Sequence, residues 1–174
     1  MDDPRFPIGK FSFDGTLTEK QRAQFLDDIE QTPAWMENAV RGLTDKQLDT
    51  PYRDGGWTVR QLVHHMPDSH VNSYVRFKLA LTEDQPTIRP YMEDRWAELP
   101  EAKSAPIALS QTFLRSLHTR WILMLRGLQP ADWKRTFNHP DNGQMTLEKS
   151  LALYAWHGRH HVAHITRLRE RMGW

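Results

Sequence analysis

The chain has no cysteine in its 174 residues, which excludes disulfide staples, a cysteine nucleophile and thiolate metal ligands. Any metal must then be held by nitrogen and oxygen donors, and any thiol chemistry must use a thiol brought by the substrate. No apolar run approaches the roughly eighteen residues of a membrane span, and the acidic opening Met1-Asp2-Asp3-Pro4 lacks the basic, then apolar start of a signal peptide. These absences predict a soluble, cytoplasmic protein. An excess of one charge is missing too: 23 basic and 22 acidic residues intermix to a net +1, so no basic stripe exists to grip a phosphate backbone. Neither nucleic acid nor membrane is an expected partner. With 39% apolar and 26% charged residues there is material for one packed core, and residues 1–174 are read as a single domain.

What is there is helical periodicity. From Thr18, the residues Leu26, Ile29, Pro33, Met36, Val40 and Leu43 recur at spacings of three and four, one buried face of a first helix. Pro33 predicts a kink, or two helices meeting, with Thr32 as the second N-cap. Thr58-Val59-Arg60-Gln61 has the form of a capping box and opens a second helix running to about Leu81, bent at Pro67. A connection from Thr82 to Ser104 follows, with prolines at 86, 90 and 100 and a short helical turn expected at Glu93 to Leu99. Ile107, Leu114, Leu117, Trp121, Met124 and Leu128 mark a third helix that starts at Pro106 and has Gly127 near its end. Arg135 to Met145, containing Asn142-Gly143, suits a small hairpin, and Thr146 can cap a fourth helix ending near Arg171. The fold class is therefore all-α, an antiparallel four-helix bundle with a long crossover between helices two and three.

Histidine is the residue whose distribution points to function. Seven of the nine fall in two segments, His64, His65 and His70 in one and His157, His160, His161 and His164 in the other. At about 100° per residue, His157, His161 and His164 lie within about 60° of one another on a helix, while His160 falls about a third of a turn aside. Two imidazoles on adjacent turns can grip one ion, and a third from the distant segment completes an open site. His65 is the stronger candidate there. It begins a polar stripe, His65, Ser69, Asn72 and Arg76, flanked by Leu62, Val75 and Leu79 on one side and by Met66 and Phe77 on the other, like the lining of a cavity. Burying several imidazoles and an arginine without partners would cost on the order of 1 to 3 kcal/mol each, so a metal or a wet pocket explains them better than an inert core. His64 points about 100° away from this stripe and is at most an outer partner, and His118 and His139 lie outside both segments and are read as spectators. Asp68, one turn after His65, has the chemistry to orient an imidazole or activate a water.

Two stretches carry a resemblance. Thr50-Pro51-Tyr52-Arg53-Asp54-Gly55-Gly56-Trp57-Thr58-Val59-Arg60-Gln61, followed by His64-His65 and Asp68-Ser69-His70, resembles the YfiT-like proteins of the DinB superfamily, as does Tyr154-Ala155-Trp156-His157-Gly158-Arg159-His160-His161-Val162-Ala163-His164-Ile165. The resemblance implies a DinB-type four-helix bundle, usually a homodimer. It also implies one divalent ion per subunit, zinc or nickel, held by His65, His157 and His161. Members of the family are labelled metal-dependent hydrolases, and some relatives act as bacillithiol S-transferases.

Three neutral imidazoles leave a double charge uncompensated and a position open, which suits catalysis. The first expectation is an S-transferase that activates a low-molecular-weight thiol of the bacillithiol type against an electrophile, with Arg76, and Arg53 or Arg89, receiving the thiol's carboxylates. The second is a hydrolase that activates water, with Asp68 or His164 as proton shuttle. The third is a non-catalytic binder of metal or a small ligand.

Overall fold

Three helices begin on the same device in the computed structural model, which describes residues 3–174. At Thr18, Thr44 and Thr58 the hydroxyl accepts from the amide three residues on, while Gln21, Gln47 and Gln61 reach back to the threonine amide. These capping boxes open α1 (Glu19–Val40), the single turn α2 (Asp45–Leu48) and α3 (Val59–Thr82). After α3 come two short helices, α4 (Glu93–Ala97) and α5 (Pro100–Ser104), then the long α6 (Ile107–Arg126). A hairpin of β1 (Thr136–His139) and β2 (Gly143–Thr146) leads into α7 (Leu147–Met172), whose N-terminus is capped by the Thr146 hydroxyl. No helix among the described residues is long and apolar enough to cross a membrane.

The four long helices form a bundle in which α1 packs mainly on α6 and α7, and α3 packs on the same two. The first and second long helices of the sequence are therefore diagonal neighbours, which separates this bundle from one in which consecutive helices are adjacent. Its core is divided. One apolar cluster gathers Ile29, Phe77, Trp121, Leu151 and Tyr154, and the other Met36, Leu62, Met66, Leu114 and Ile165. On α3, α6 and α7 the residues between the two are histidines: His70, His118, and His157 with His161.

Of the two outcomes the sequence allowed at Pro33, a kink or two helices meeting, the second does not occur: α1 runs through the proline undivided and Thr32 is not a cap. Proline lacks the N–H that would bond the Ile29 carbonyl. That carbonyl instead accepts from Nδ1 of His118 on the neighbouring α6, at 2.6 Å, and the Thr32 hydroxyl donates back to Asp28 O at 2.7 Å. A tertiary bond replaces the lost helical one, so the helix continues. Close by, α1 and α7 approach until a Cβ added at Gly158 would lie 2.6 Å from Thr32 Oγ1, an approach open only to glycine.

The sequence anticipated α4 but not α5, and it placed the hairpin correctly. β1 and β2 pair with Phe137 opposite Met145, and Gly143 takes the positive φ of 70° that the turn requires. The crossover is pinned to this hairpin by a parallel bridge between Thr87 and Asn138, with Asn138 N donating to Pro86 O at 2.8 Å and Ile88 N to Asn138 O at 3.0 Å. That attachment holds Tyr91 to Arg95 beside the histidine layer.

Candidate metal centre

Helices α3 and α7 bring three imidazole nitrogens to one point. His157 Nε2 lies 3.3 Å from His65 Nε2 and 3.1 Å from His161 Nε2, and the three rings can offer one nitrogen each within 4.8 Å of one another. The positions follow from helical phase: His157 and His161 stand on adjacent turns of α7, and the buried face of α3 carries His65 toward them. Burial pushes the His65 ring down to about 3, and pushes His157 and His161 well below the ordinary imidazole range, with the neighbouring imidazoles adding to the effect. All three are therefore neutral at pH 7, the form in which imidazole donates a lone pair.

The donor set fits a small divalent cation. Two ligands at about 2.0–2.1 Å from a tetrahedral ion stand about 3.3–3.4 Å apart, close to the spacing of these nitrogens. The outer ring atoms fit as well. His157 Nδ1 lies 3.1 Å from His70 Nε2, and His161 Nδ1 lies 3.3 Å from His164 Nδ1, so each of these two rings has a partner on the side away from the shared point. Three nitrogens and no carboxylate in the set leave room for a further ligand.

Two cavities flank the cluster. The larger, about 540 Å³, lies between α3, α7, the crossover and the hairpin, and its walls include His157, Ser69, Arg76, Tyr91, Glu93 and Arg95. Arg76 makes no ion pair within 4.0 Å among the described residues and hydrogen-bonds Tyr154 Oη at 3.5 Å, while its charge acts on the Glu93 carboxyl of the same cavity. Burial pushes the Glu93 carboxyl and the Tyr91 phenol up, so Tyr91 is a neutral donor and Glu93 takes a proton more readily than a solvated carboxylate. The smaller cavity, about 240 Å³, is lined by Arg5, Arg53, Trp57, His160, His161 and His164. Asp94 borders both.

The other residues singled out from the sequence are distributed unevenly. Arg76 faces the larger cavity and Arg53 the smaller, while Arg89 is exposed and lines neither. Asp68 is pushed up to about 6 by burial and by the Glu101 charge, but its carboxylate bonds none of the histidines and borders neither cavity. Its sequence distance from His65 was right for one turn, but its azimuth carries it toward α5. His164 stands behind His161, partnering its outer nitrogen. His160 stacks on Trp156 with ring centroids 4.3 Å apart. His64 bonds Ser110 Oγ at 2.7 Å and Ala105 O at 3.1 Å, tethering α3 to the start of α6. In the stripe on α3, Asn72 turns its amide to Asp68 O at 2.8 Å, and Val75, expected to flank it as a buried residue, is 46% exposed.

Sequence reasoning passed over His70 and His118, which are fully or almost fully buried and joined to the cluster. A signal existed: His118 falls in phase with Leu114, Trp121 and Leu125, and His70 with Ser73 and Phe77, so each occupies a core position. Tyr91, Glu93 and Arg95 carried none, because their placement depends on the crossover's attachment to the hairpin.

The family profile described as the DinB superfamily matches residues 28–165 of this chain. A protein of Bacillus mycoides strain KBAB4 is 56% identical over 174 residues and one of Bacillus cereus strain AH820 is 54% identical, each covering all of both chains, and both carry the provisional name metal-dependent hydrolase. Among solved structures, YfiT from Bacillus subtilis superposes with a TM-score of 0.96 at 50% identity over 98% of each chain. It is described as a probable metal-dependent hydrolase with an unusual four-helix bundle topology. TT2238, a four-helix bundle protein, superposes with a TM-score of 0.55 at 18% identity, over 81% of this chain and 94% of its own, and supports the fold alone.

Proposed function

The chain belongs to the DinB superfamily, among its YfiT-like proteins, and from that premise we propose a divalent-metal-dependent enzyme whose ion, zinc or nickel, is held by His65, His157 and His161. In this reading the nucleophile is a low-molecular-weight thiol of the bacillithiol type, and the reaction transfers its sulfur to a small electrophile. The observation that carries it is the convergence of three neutral Nε2 donors beside a cavity lined by Arg76, which forms no close ion pair among the described residues. An ion so held supplies Lewis acidity that favours the anionic form of a thiol or a water at neutral pH.

The protein's own groups do the rest. Arg76 receives a carboxylate of the acidic thiol and fixes its direction of approach. Glu93, on the facing wall, accepts the thiol proton as the S–H bond breaks, and the sulfur forms its bond to carbon as the leaving group departs with its electron pair. Tyr91, held protonated, donates to the departing group or to an oxygen of the electrophile.

A second reading has water in place of the thiol, and the provisional name of the relatives and the raised carboxyl of Glu93 as a base favour it. The discriminating experiment incubates metal-loaded protein with a panel of thiols and monochlorobimane, and in parallel with ester and amide substrates without thiol. Conjugate formation above background supports the transferase. No conjugate with any thiol, together with ester or amide turnover, replaces it by the hydrolase. Inactivity in both with tightly retained metal leaves a binding protein.

A further inference from the structure

We propose that His118 and His70 form a one-way hydrogen-bond relay, anchored on the Ile29 carbonyl that Pro33 leaves free, which fixes His157 with its Nε2 lone pair bare toward the ion. The relay rests on the reading of His157 as a ligand, and it assigns a positioning role to three residues that touch neither ion nor substrate.

Its direction follows from one fact: a carbonyl oxygen can only accept. Ile29 O has no helical donor, because residue 33, four positions on, is proline. The 2.6 Å contact from His118 Nδ1 must therefore carry a proton on that nitrogen. His118 is buried and pushed down to about 4, hence neutral, so its Nε2 is an acceptor. The 2.8 Å contact between this Nε2 and His70 Nδ1 then places a proton on His70 Nδ1. His70 is wholly buried and its ring nitrogens meet only other imidazoles, with no carboxylate to hold a second proton, so its Nε2 accepts in turn, and the 3.1 Å contact to His157 Nδ1 places the proton there. What is left on His157 is an unprotonated Nε2, the atom that faces His65 and His161.

Each ring in this line is thereby held in the Nδ1–H tautomer, the less populated one in free neutral histidine. The alternative, with Nε2–H on His157, would put a proton at the point where the three nitrogens meet and set two bare nitrogens against each other, either between His157 and His70 or, if His70 moved its proton to Nε2, between His70 and His118. In a dry interior, breaking one bond leaves a buried polar atom without a partner, so the three bonds form or fail as a unit. The proline ordinarily counted as a defect in a helix is here the origin of the chain of donors.

Long-range 1H–15N correlation spectra of the metal-free protein test this directly. The expected result is the Nδ1–H tautomer at His118, His70 and His157, and Nε2–H at His157 would overturn the relay. The second arm measures zinc affinity by competition with a chromophoric chelator. His118→Phe keeps a ring but offers no bond, and is expected to weaken affinity about 10- to 100-fold. His118→Gln, able to donate to Ile29 O and accept from His70, is expected to recover most of that loss. Equal affinities for the wild type and both variants would overturn the proposal, as would equal losses in Phe and Gln variants that both remain folded by near-UV circular dichroism. Failure of the functional reading looks different: the wild type would bind no zinc while its tautomers stood as stated.

Discussion

His157 and His161 sit one turn apart on the same helix, yet their outer nitrogens are held by unlike surroundings. Behind His157 the contacts shorten with depth, 3.1 Å to His70, 2.8 Å to His118 and 2.6 Å to a helical carbonyl in the core. Behind His161 there are only two, 3.3 Å to His164 and then 3.4 Å from His164 Nε2 to the carbonyl of Arg5, in an exposed segment before the first helix. The second line obeys the same logic, since Arg5 O can only accept, so His164 carries its proton on Nε2 and takes one from His161 Nδ1. His157 is thus fixed by close-packed rings and helix backbone, and His161 by a loop bordering a solvent-connected cavity. A metal site with one rigid and one yielding ligand holds its geometry and still admits exchange on the yielding side.

The largest expected effect comes from removing a nitrogen at which one of the lines ends. His157→Ala or His161→Ala is expected to lower metal affinity by more than about 100-fold, read by elemental analysis after gel filtration, whereas His139→Ala should leave occupancy unchanged. Retained metal in either of the first two would end the assignment.

Acid should act next most strongly, on the rings of both lines and on His65 at once. His65 is pushed down to about 3 and His118 and His164 to about 4, against 6.5 for an ordinary imidazole. Between about 6.5 and 4 the unfolded chain binds protons that the native protein refuses, so stability falls as pH falls through that window and is flat above it. Asp68, raised to about 6, has the opposite sign between 6 and its ordinary 3.8 and offsets part of the loss. Thermal melts of the metal-free protein should show this slope, and a midpoint rising from pH 7 to pH 5 would contradict it.

Packing behind the deep line gives a smaller effect. Gly158→Val forces a side chain against Thr32, and about 2–3 kcal/mol of stability should be lost in urea unfolding. Pro33→Ala separates bonding from packing. It returns an N–H to Ile29 O while relieving an interior proline, so helix stability should hold or rise while zinc affinity falls several-fold. Unchanged affinity there would show that the carbonyl serves both donors equally well. The smallest change is expected from His164→Gln, about two- to fivefold in affinity, because the bonds it interrupts are long and near water. An effect equal to that of His118→Phe would erase the difference between the two lines.

Much of this was legible in the sequence where the cause is local. The threonine caps at 58 and 146, the Asn142-Gly143 turn and the phase of His65, His157 and His161 depend on residues within a few positions of one another. What was not legible depends on contacts between distant segments. Pro33 reads as a kink or a junction of two helices because nothing within α1 shows that a histidine 85 positions on will take up the carbonyl it orphans at Ile29. Asp68 reads as a neighbour of the site because spacing fixes its turn but not its azimuth relative to α5. Tyr91 and Glu93 become cavity residues only through the bridge between Thr87 and Asn138.

That bridge has an evolutionary corollary. The wall facing the histidines comes from a connecting segment and a hairpin, while the nitrogens themselves are rooted in the bundle. Lengthening, shortening or recolouring that segment would alter which molecules are admitted and leave the reactive centre untouched. A single scaffold is thereby free to diversify its clientele without relearning its chemistry.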